Sequence, residues 1–322
     1  MIKFAVDKPR TSGGAPMTAS PFHPDELAAQ ASAGKSAAGA GIRSFMPDQH
    51  REFVALLPYL FVATADAAGW PLATMLTGAP GFVHSPDPVT LRVDALPDPR
   101  DPAAEAFGEG AEIGLLGLDL ATRRRNRANG AIAARGASGF ALAVRQSFGN
   151  CAKYIQRRAV RPAPPAPGGI EALAGLDAEA RALIGQADTL FVASRSRPDA
   201  GAAGGLDVSH RGGRPGFVRQ DGDTLVVPDF AGNRYFNTLG NLLGEPRASL
   251  LLVDFARGDL LQLQGRATVD WGVRSRDLVP GAERQWRFDV VRGWRGRAAV
   301  PLRWSFLDYS PVTLGTGVAV PA

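Results

Sequence analysis

Apolar positions along the chain fall in short blocks, and each block predicts a short element. Pro47 to Leu57 and Leu176 to Ala187 carry apolar residues at helical spacing and predict amphipathic helices. Each is followed by short runs rich in Val, Phe, Leu and Thr, separated by Gly, Pro and Asp turns, the pattern of strands. Further short helices are predicted at Pro102 to Phe107 and Arg234 to Leu243. The longest strand pair, Ala248 to Phe255 and Asp259 to Asp270, is joined by Ala256, Arg257 and Gly258, which suits a β-hairpin. These elements predict a mainly β fold, a small β-barrel of antiparallel strands with flanking helices. The longest apolar runs, such as Leu56 to Ala65, fall far short of the roughly 20 residues of a membrane-spanning helix, so no membrane partner is expected.

The blocks repeat. LFVATA at Leu60 recurs as LFVASR at Leu190, an offset of 130, and PGFV at Pro80 recurs unchanged at Pro215, an offset of 135. TLRV at Thr90 recurs as TLVV at Thr224, and GLLGLDLATRRRNRANG at Gly114 lies over SLLLVDFARGDLLQLQG at Ser249 without a gap. Similarity in this order means two copies of one unit. The expected division is an N-terminal arm with a short helix over 1–46, a first unit over 47–158, a linker over 159–175 and a second unit with a C-terminal extension over 176–322. RPAPPAPGG from Arg161 favours an extended spacer within the linker.

Composition removes whole classes. Cys151 is the only cysteine, which excludes a disulfide framework, and His23, His50, His84 and His210 are too dispersed to predict a metal site. The N-terminus lacks the apolar stretch of a secretory signal, so a cytoplasmic protein is expected. The net charge is +5, yet only four of the 36 basic residues are lysines, and the arginines are spread along the chain. Nucleic-acid binders gather cations on one face among aromatics, so nucleic acid is not an expected partner. The one dense cluster is Arg123, Arg124, Arg125 and Arg127, whose alternate members would share a face on a strand. A solvated segment and an attractor for an anionic co-substrate such as NADPH both fit it.

Positions where only one copy is polar point to function. Ser209, His210 and Arg211 stand against Thr74, Met75 and Leu76, while Asn233, Asn237 and Asn241 stand against Pro99, Ala103 and Phe107. Gly232 and Asn233 leading into a helix would offer free backbone N–H groups to an anion. On that helix the three asparagines would share one face, with Arg211 and Arg234 adding charge-assisted contacts. The result would be a phosphate cradle in the second copy that the first has lost. The plainer alternative is a helix capped by Asn233 with both arginines in solvent.

DVSHRGGRPGFV from Asp207, DFAGNRYFNTLGN from Asp229, GDLLQLQGRA from Gly258 and QSFGNCAKYIQRR from Gln146 together resemble the flavin-nucleotide-binding proteins of the pyridoxamine 5'-phosphate oxidase-like superfamily. The resemblance runs from about Phe22 to Gly317. It implies an FMN-binding split β-barrel, present twice. Single-barrel members are homodimers with FMN at the interface, so two fused barrels imply a pseudo-dimer within one chain; the sequence leaves open a homodimer of such chains. The resemblance also implies that Arg211, Asn233 and Arg234 hold the flavin phosphate, with Asn237 and Asn241 supporting the loop. The backbone of Val208, Ser209 and His210 would run beside the isoalloxazine ring, and Asn150, Lys153 and Tyr154 would form the opposite wall.

The chain lacks the C-terminal arginine-histidine motif of pyridoxamine 5'-phosphate oxidase proper, so the vitamin B6 reaction is not expected. No catalytic side chain is assigned, because in such proteins the reactivity belongs to the cofactor. The implied activity is that of an FMN-dependent oxidoreductase on a small-molecule substrate, with electrons from NAD(P)H or a separate reductase. The alternative is a non-catalytic flavin, deazaflavin or haem carrier, in whose haem version His210 would be the axial ligand.

Overall fold

A computed structural model describes residues 20–164, 166, 168–272 and 279–318; the first part of the expected N-terminal arm, 1–19, lies outside them. Helix α1 (Pro24–Ser32) precedes α2 (Asp48–Ala55), which opens the first unit. That unit holds strands β1 (Tyr59–Ala65), β2 (Pro71–Thr77), β3 (Val83–Asp87), β4 (Thr90–Val93), β5 (Glu112–Asp119), β6 (Arg124–Arg135) and β7 (Phe140–Gly149). After β8 (Arg157–Pro162) and β9 (Ile170–Leu173), the second unit repeats the series. It consists of α3 (Ala178–Gln186), β10 (Thr189–Arg195), β11 (Leu206–Gly212), β12 (Arg219–Asp221), β13 (Thr224–Phe230), α4 (Asn237–Gly244), β14 (Arg247–Asp254), β15 (Asp259–Asp270) and β16 (Ala282–Gly296). Strand β17 (Leu302–Asp308) and α5 (Pro311–Leu314) follow.

The two units have one topology. The first sheet runs β2-β1-β5-β6-β7-β4-β3 and the second β11-β10-β14-β15-β16-β13-β12, with every pairing antiparallel and β9 added on β16. The fold is mainly β, built as tandem units, and the offsets of 130 and 135 read from the sequence are those of the strands themselves. Even a defect is repeated. Gly130 and Gly265 sit at the same register shift in the two copies, where a Cβ would lie 1.9 and 2.3 Å from a carbonyl oxygen of the neighbouring strand. Only glycine admits that approach, so the bulge is written into both copies.

Unbroken apolar runs such as LFVATA form because these strands are buried on both faces. Along β1, Leu60 and Val62 enter the core of their own unit, whereas Tyr59, Phe61 and Ala63 enter a seam between the units. Along β10, Leu190 and Val192 do the first and Phe191 and Ala193 the second. Phe61 and Phe191, equivalent residues of the two copies, stack on each other with ring centroids 3.6 Å apart. Equivalent groups meeting one another mark a two-fold arrangement.

Local departures have local causes. The helix expected from Arg234 begins only at Asn237, because Arg234 and Phe236 take left-handed φ values of 65° and 61°. The helix expected at Pro102 to Phe107 is a single 3-10 turn, Ala104–Ala106. The expected spacer is strand at both ends: β8 pairs with β17, whose Leu302 and Trp304 close the seam, and β9 pairs with β16. No helix among the described residues is long and apolar enough to cross a membrane.

Candidate functional site

An open cleft lies where the second unit meets the first. Strand β11 lines it with Ser209, His210 and Arg211, the end of β13 adds Asp229 and Phe230, and the turn before α4 adds Gly232, Asn233 and Arg234. The first unit supplies the opposite wall through β6 and the segment after β7, with Arg125, Arg127, Asn150, Cys151, Lys153 and Tyr154. One backbone contact makes this closure possible. A Cβ on Gly212 would lie 2.0 Å from the Tyr154 carbonyl oxygen, and the first copy has Thr77 at that position.

Nine of the eleven residues expected at a cofactor therefore line one cleft: Asn150, Lys153, Tyr154, Ser209, His210, Arg211, Asn233, Arg234 and Asn237. Val208 does not; it is buried in the seam. Nor does Asn241, whose Oδ1 bonds to His23 Nε2 at 2.8 Å and whose Nδ2 donates to Ser194 Oγ at 3.1 Å. Asn233 lies outside the helix, so the three asparagines do not share a helical face. Its Oδ1 instead accepts from the Tyr235 N–H at 3.1 Å and shapes the turn. Asn237 also faces α1, donating to Glu26 Oε1 at 2.5 Å.

The electrostatics are strongly one-sided. Arg211 donates to Asp229 Oδ1 at 2.5 Å, and Arg284 occupies the other oxygen of the same carboxylate while also pairing with Glu283 at 3.0 Å. Arg127, buried, donates to Asp207 Oδ1 at 2.8 Å and to the Ser209 hydroxyl. Arg125 donates to the Cys151 carbonyl at 2.8 Å and pairs with no carboxylate among the described residues. Burial and the neighbouring Arg127 and Arg211 lower the Arg125 pKa to about 10. His210 is buried and packs edge-on against Phe191, with centroids 5.7 Å apart. Burial, then Arg125 and Arg211, hold its pKa well below 6.5, so the ring is neutral. Tyr154 stacks on Phe230 and donates to the Ala231 carbonyl at 3.3 Å, which fixes the end of β13.

Four buried polar atoms on the cleft wall lack a protein partner among the described residues: Asn150 Oδ1, His210 Nε2, Arg127 Nε and Arg211 Nε. Buried polar groups are ordinarily satisfied, so these atoms suit a bound polar ligand. The arginine cluster proves to be divided. Arg123 reaches Asp308 and the Ile155 carbonyl, Arg124 reaches the Gln49 carbonyl, and only Arg125 and Arg127 enter the cleft. A signal for those two was present in the sequence, since the second copy has Leu260 and Gln262 at the equivalent places. Asp229 and Arg284 gave no such signal, because their pairing spans two distant strands.

No protein-family model and no curated protein matches the sequence. Solved structures do. A protein from Lactobacillus delbrueckii provisionally named a pyridoxamine 5'-phosphate oxidase is 16% identical and covers 33% of this chain and 95% of its own, with a TM-score of 0.26. A FAD-binding protein from Mesorhizobium loti is 14% identical and covers 39% and 97%, with a TM-score of 0.26. The heme storage protein HutZ from Vibrio cholerae is 17% identical and covers 37% and 93%, with a TM-score of 0.24. Each of these three likenesses spans about the length of one unit.

Proposed function

We propose that the chain is an intramolecular pseudo-dimer that binds FMN in this single cleft and serves as an FMN-dependent oxidoreductase. The carrying observation is the set of cationic groups gathered there from both units, with unsatisfied donors on the cleft wall. Arg211, Arg234 and the N–H groups of the Gly232 to Arg234 turn hold the phosphate. Arg125 and Arg127 bring positive charge from the first unit toward the ring. Bound flavin would supply hydride or electron transfer, taking electrons from NAD(P)H or a separate reductase. The protein's part is orientation and electrostatics: a positive group near the ring favours its reduced, anionic form, and neutral His210 offers Nε2 without adding charge.

Imposing the first copy's residues tests this reading. Arg211→Leu with Asn233→Pro is expected to weaken FMN binding by about 100-fold or more, because a charge-assisted pair and the phosphate turn are both lost. Fluorescence titration of FMN measures it, and stoichiometric FMN retained by the double variant overturns the site assignment. A second reading, haem binding, draws on the unpartnered Nε2 of a neutral histidine in the same cleft. The absorption spectrum of the purified protein separates the two: flavin bands near about 370 and 450 nm, or a haem band near about 400 nm.

A further inference from the structure

Asn237 borders two spaces: the cleft and, behind it, a small polar chamber lined by His23, Glu26, Asn129, Asp207 and Asn241. Its amide spans the wall between them, with Nδ2 donating to Glu26 Oε1 at 2.5 Å and Oδ1 accepting from Arg127 Nη1 at 3.4 Å. Glu26 reaches this place because α4 admits α1 closely: a Cβ at Gly240 would lie 2.6 Å from the Glu26 Cα, and the first copy has Ala106 at that position. The other carboxyl oxygen, Oε2, accepts from the His23 N–H at 3.0 Å, so a proton on Glu26 belongs on Oε1, where Asn237 already donates. Two donors cannot share one bond. Turning the Asn237 amide over supplies the acceptor, bringing Oδ1 to Glu26 and Nδ2 to the side of Arg127 and the cleft. Burial raises the Glu26 pKa to about 8 against the bonds from Asn237 and His23, so each form has its own pH range. The ionisable groups facing Glu26 are His23 at 3.8 Å, Asp207 of β11 and Arg127 of β6. His23, lowered by burial, is already neutral in that range; α4 carries no ionisable side chain, and Asp25 is paired with Arg197 at 2.8 Å.

We infer that Glu26, which does not touch the cleft, is a positioning residue for it: through the Asn237 amide it presents an oxygen to Arg127 when ionised and an N–H toward the cleft when protonated. The ionised form spends part of the Arg127 charge on Asn237. The protonated form releases that contact and adds a donor, so an anion in the cleft and a proton on Glu26 favour one another. The linkage is reciprocal: binding an anion raises the proton affinity of Glu26 by the same factor. This rests on the flavin reading, in which the anion is FMN.

FMN is the probe, titrated by fluorescence at about pH 7 and about pH 9. Wild-type affinity is expected to fall about five-fold or more between them as Glu26 ionises. Glu26→Gln should hold its affinity within about two-fold, because the new amide, its oxygen kept by the His23 N–H, turns its NH2 to Asn237 as the protonated acid does. A merely structural role would lower affinity equally at both pH values, and the ratio of the two proteins cancels the ionisation of FMN itself. Without ligand, the Asn237 side-chain amide signals in nuclear magnetic resonance should move with a midpoint near about pH 8 in wild type and stay fixed in Glu26→Gln. An equal pH response in the two proteins overturns the positioning role and leaves the flavin reading intact. Amide signals that do not move with pH in wild type overturn it as well. Wild-type protein that binds no FMN at either pH overturns the flavin reading, and the amide signals then decide alone whether Glu26 sets Asn237.

Discussion

The two units share one backbone plan, yet one carries an open cationic cleft and the other a closed polar knot. In the first unit, Leu76 and Met75 stand where the second has Arg211 and His210. At the place of the cleft, Thr74 donates to Asp101 Oδ2 at 2.6 Å, the Ala103 N–H donates to Asp101 Oδ1 at 2.8 Å, and Gln262 reaches across from β15 to Asp101 Oδ1 and the Ala73 carbonyl. Gln262 is the counterpart of Arg127. Each unit thus sends its long strand into the other, but one strand delivers a plug and the other a cation. Duplication lets one half become the support on which the other half's site is finished.

The strongest way to break this comparison is to strike the stacked pair on the seam. Phe61→Ala and Phe191→Ala each remove a fully buried ring, and each is expected to cost about 3–5 kcal/mol of stability, measured by urea unfolding. The consequences for the cleft should differ. His210 packs on Phe191, so Phe191→Ala should also weaken ligand binding, whereas Phe61, one ring further away and paired with Met75 of the first unit, should affect binding less. Equal effects of both variants on binding would show that the open cleft and the sealed knot are not independent.

A smaller effect tests the plug. Gln262→Ala strips two hydrogen bonds from a buried network and is expected to cost about 1–3 kcal/mol. Asp101, already raised in pKa by burial, would keep only Thr74 and the Ala103 N–H. Ligand stoichiometry should stay at one per chain by titration, because Leu76 still offers no charge. A second ligand bound by this variant would mean that the plug alone closes the first cleft.

Much of this asymmetry was legible in the sequence. The offset of the copies, the hairpin of the second unit and the one-sided polar residues follow from spacing and residue type, which act locally. What was not legible depends on contacts between distant segments. Nothing near Arg127 in the chain indicates that it meets Asp207, and nothing near Arg211 indicates that it must share Asp229 with Arg284. The late start of α4 escaped notice because Arg234 and Phe236 take φ values that side chains rarely adopt, so neither residue signals the break. The short helix expected in the N-terminal arm is α1, but its docking was not legible: Asn241 bonds to His23, and Asn237, which also lines the cleft, bonds to Glu26, because their amides are equally suited to another helix.

That helix gives the smallest and most local test, since it docks on α4 in the second unit and the first unit has only a 3-10 turn there. Glu26 is the buried contact. It accepts from Asn237 and from the His23 N–H, yet burial outweighs both bonds and raises its pKa from 4.5 to about 8. Between those values the folded chain keeps a proton that the unfolded chain has released. The Glu26 contribution to stability must therefore fall as pH rises from about 4.5 to about 8 and level off above. His23, His50 and His210, all lowered by burial, act at the other limb and remove stability as pH falls below 6.5. Glu26→Gln keeps the shape and abolishes the alkaline decline. Its advantage over wild type should grow between about pH 6 and pH 8.5 to on the order of 1–2 kcal/mol by urea unfolding, less than full linkage because α1 can undock before the unit unfolds. A pH-independent difference between the two proteins would place the Glu26 proton elsewhere and leave α1 a passive strap. A difference that tracks pH would assign that part of the alkaline decline to the α1 contact of the second unit, separate from the buried Asp101 beside the 3-10 turn of the first, whose pKa is also raised by burial.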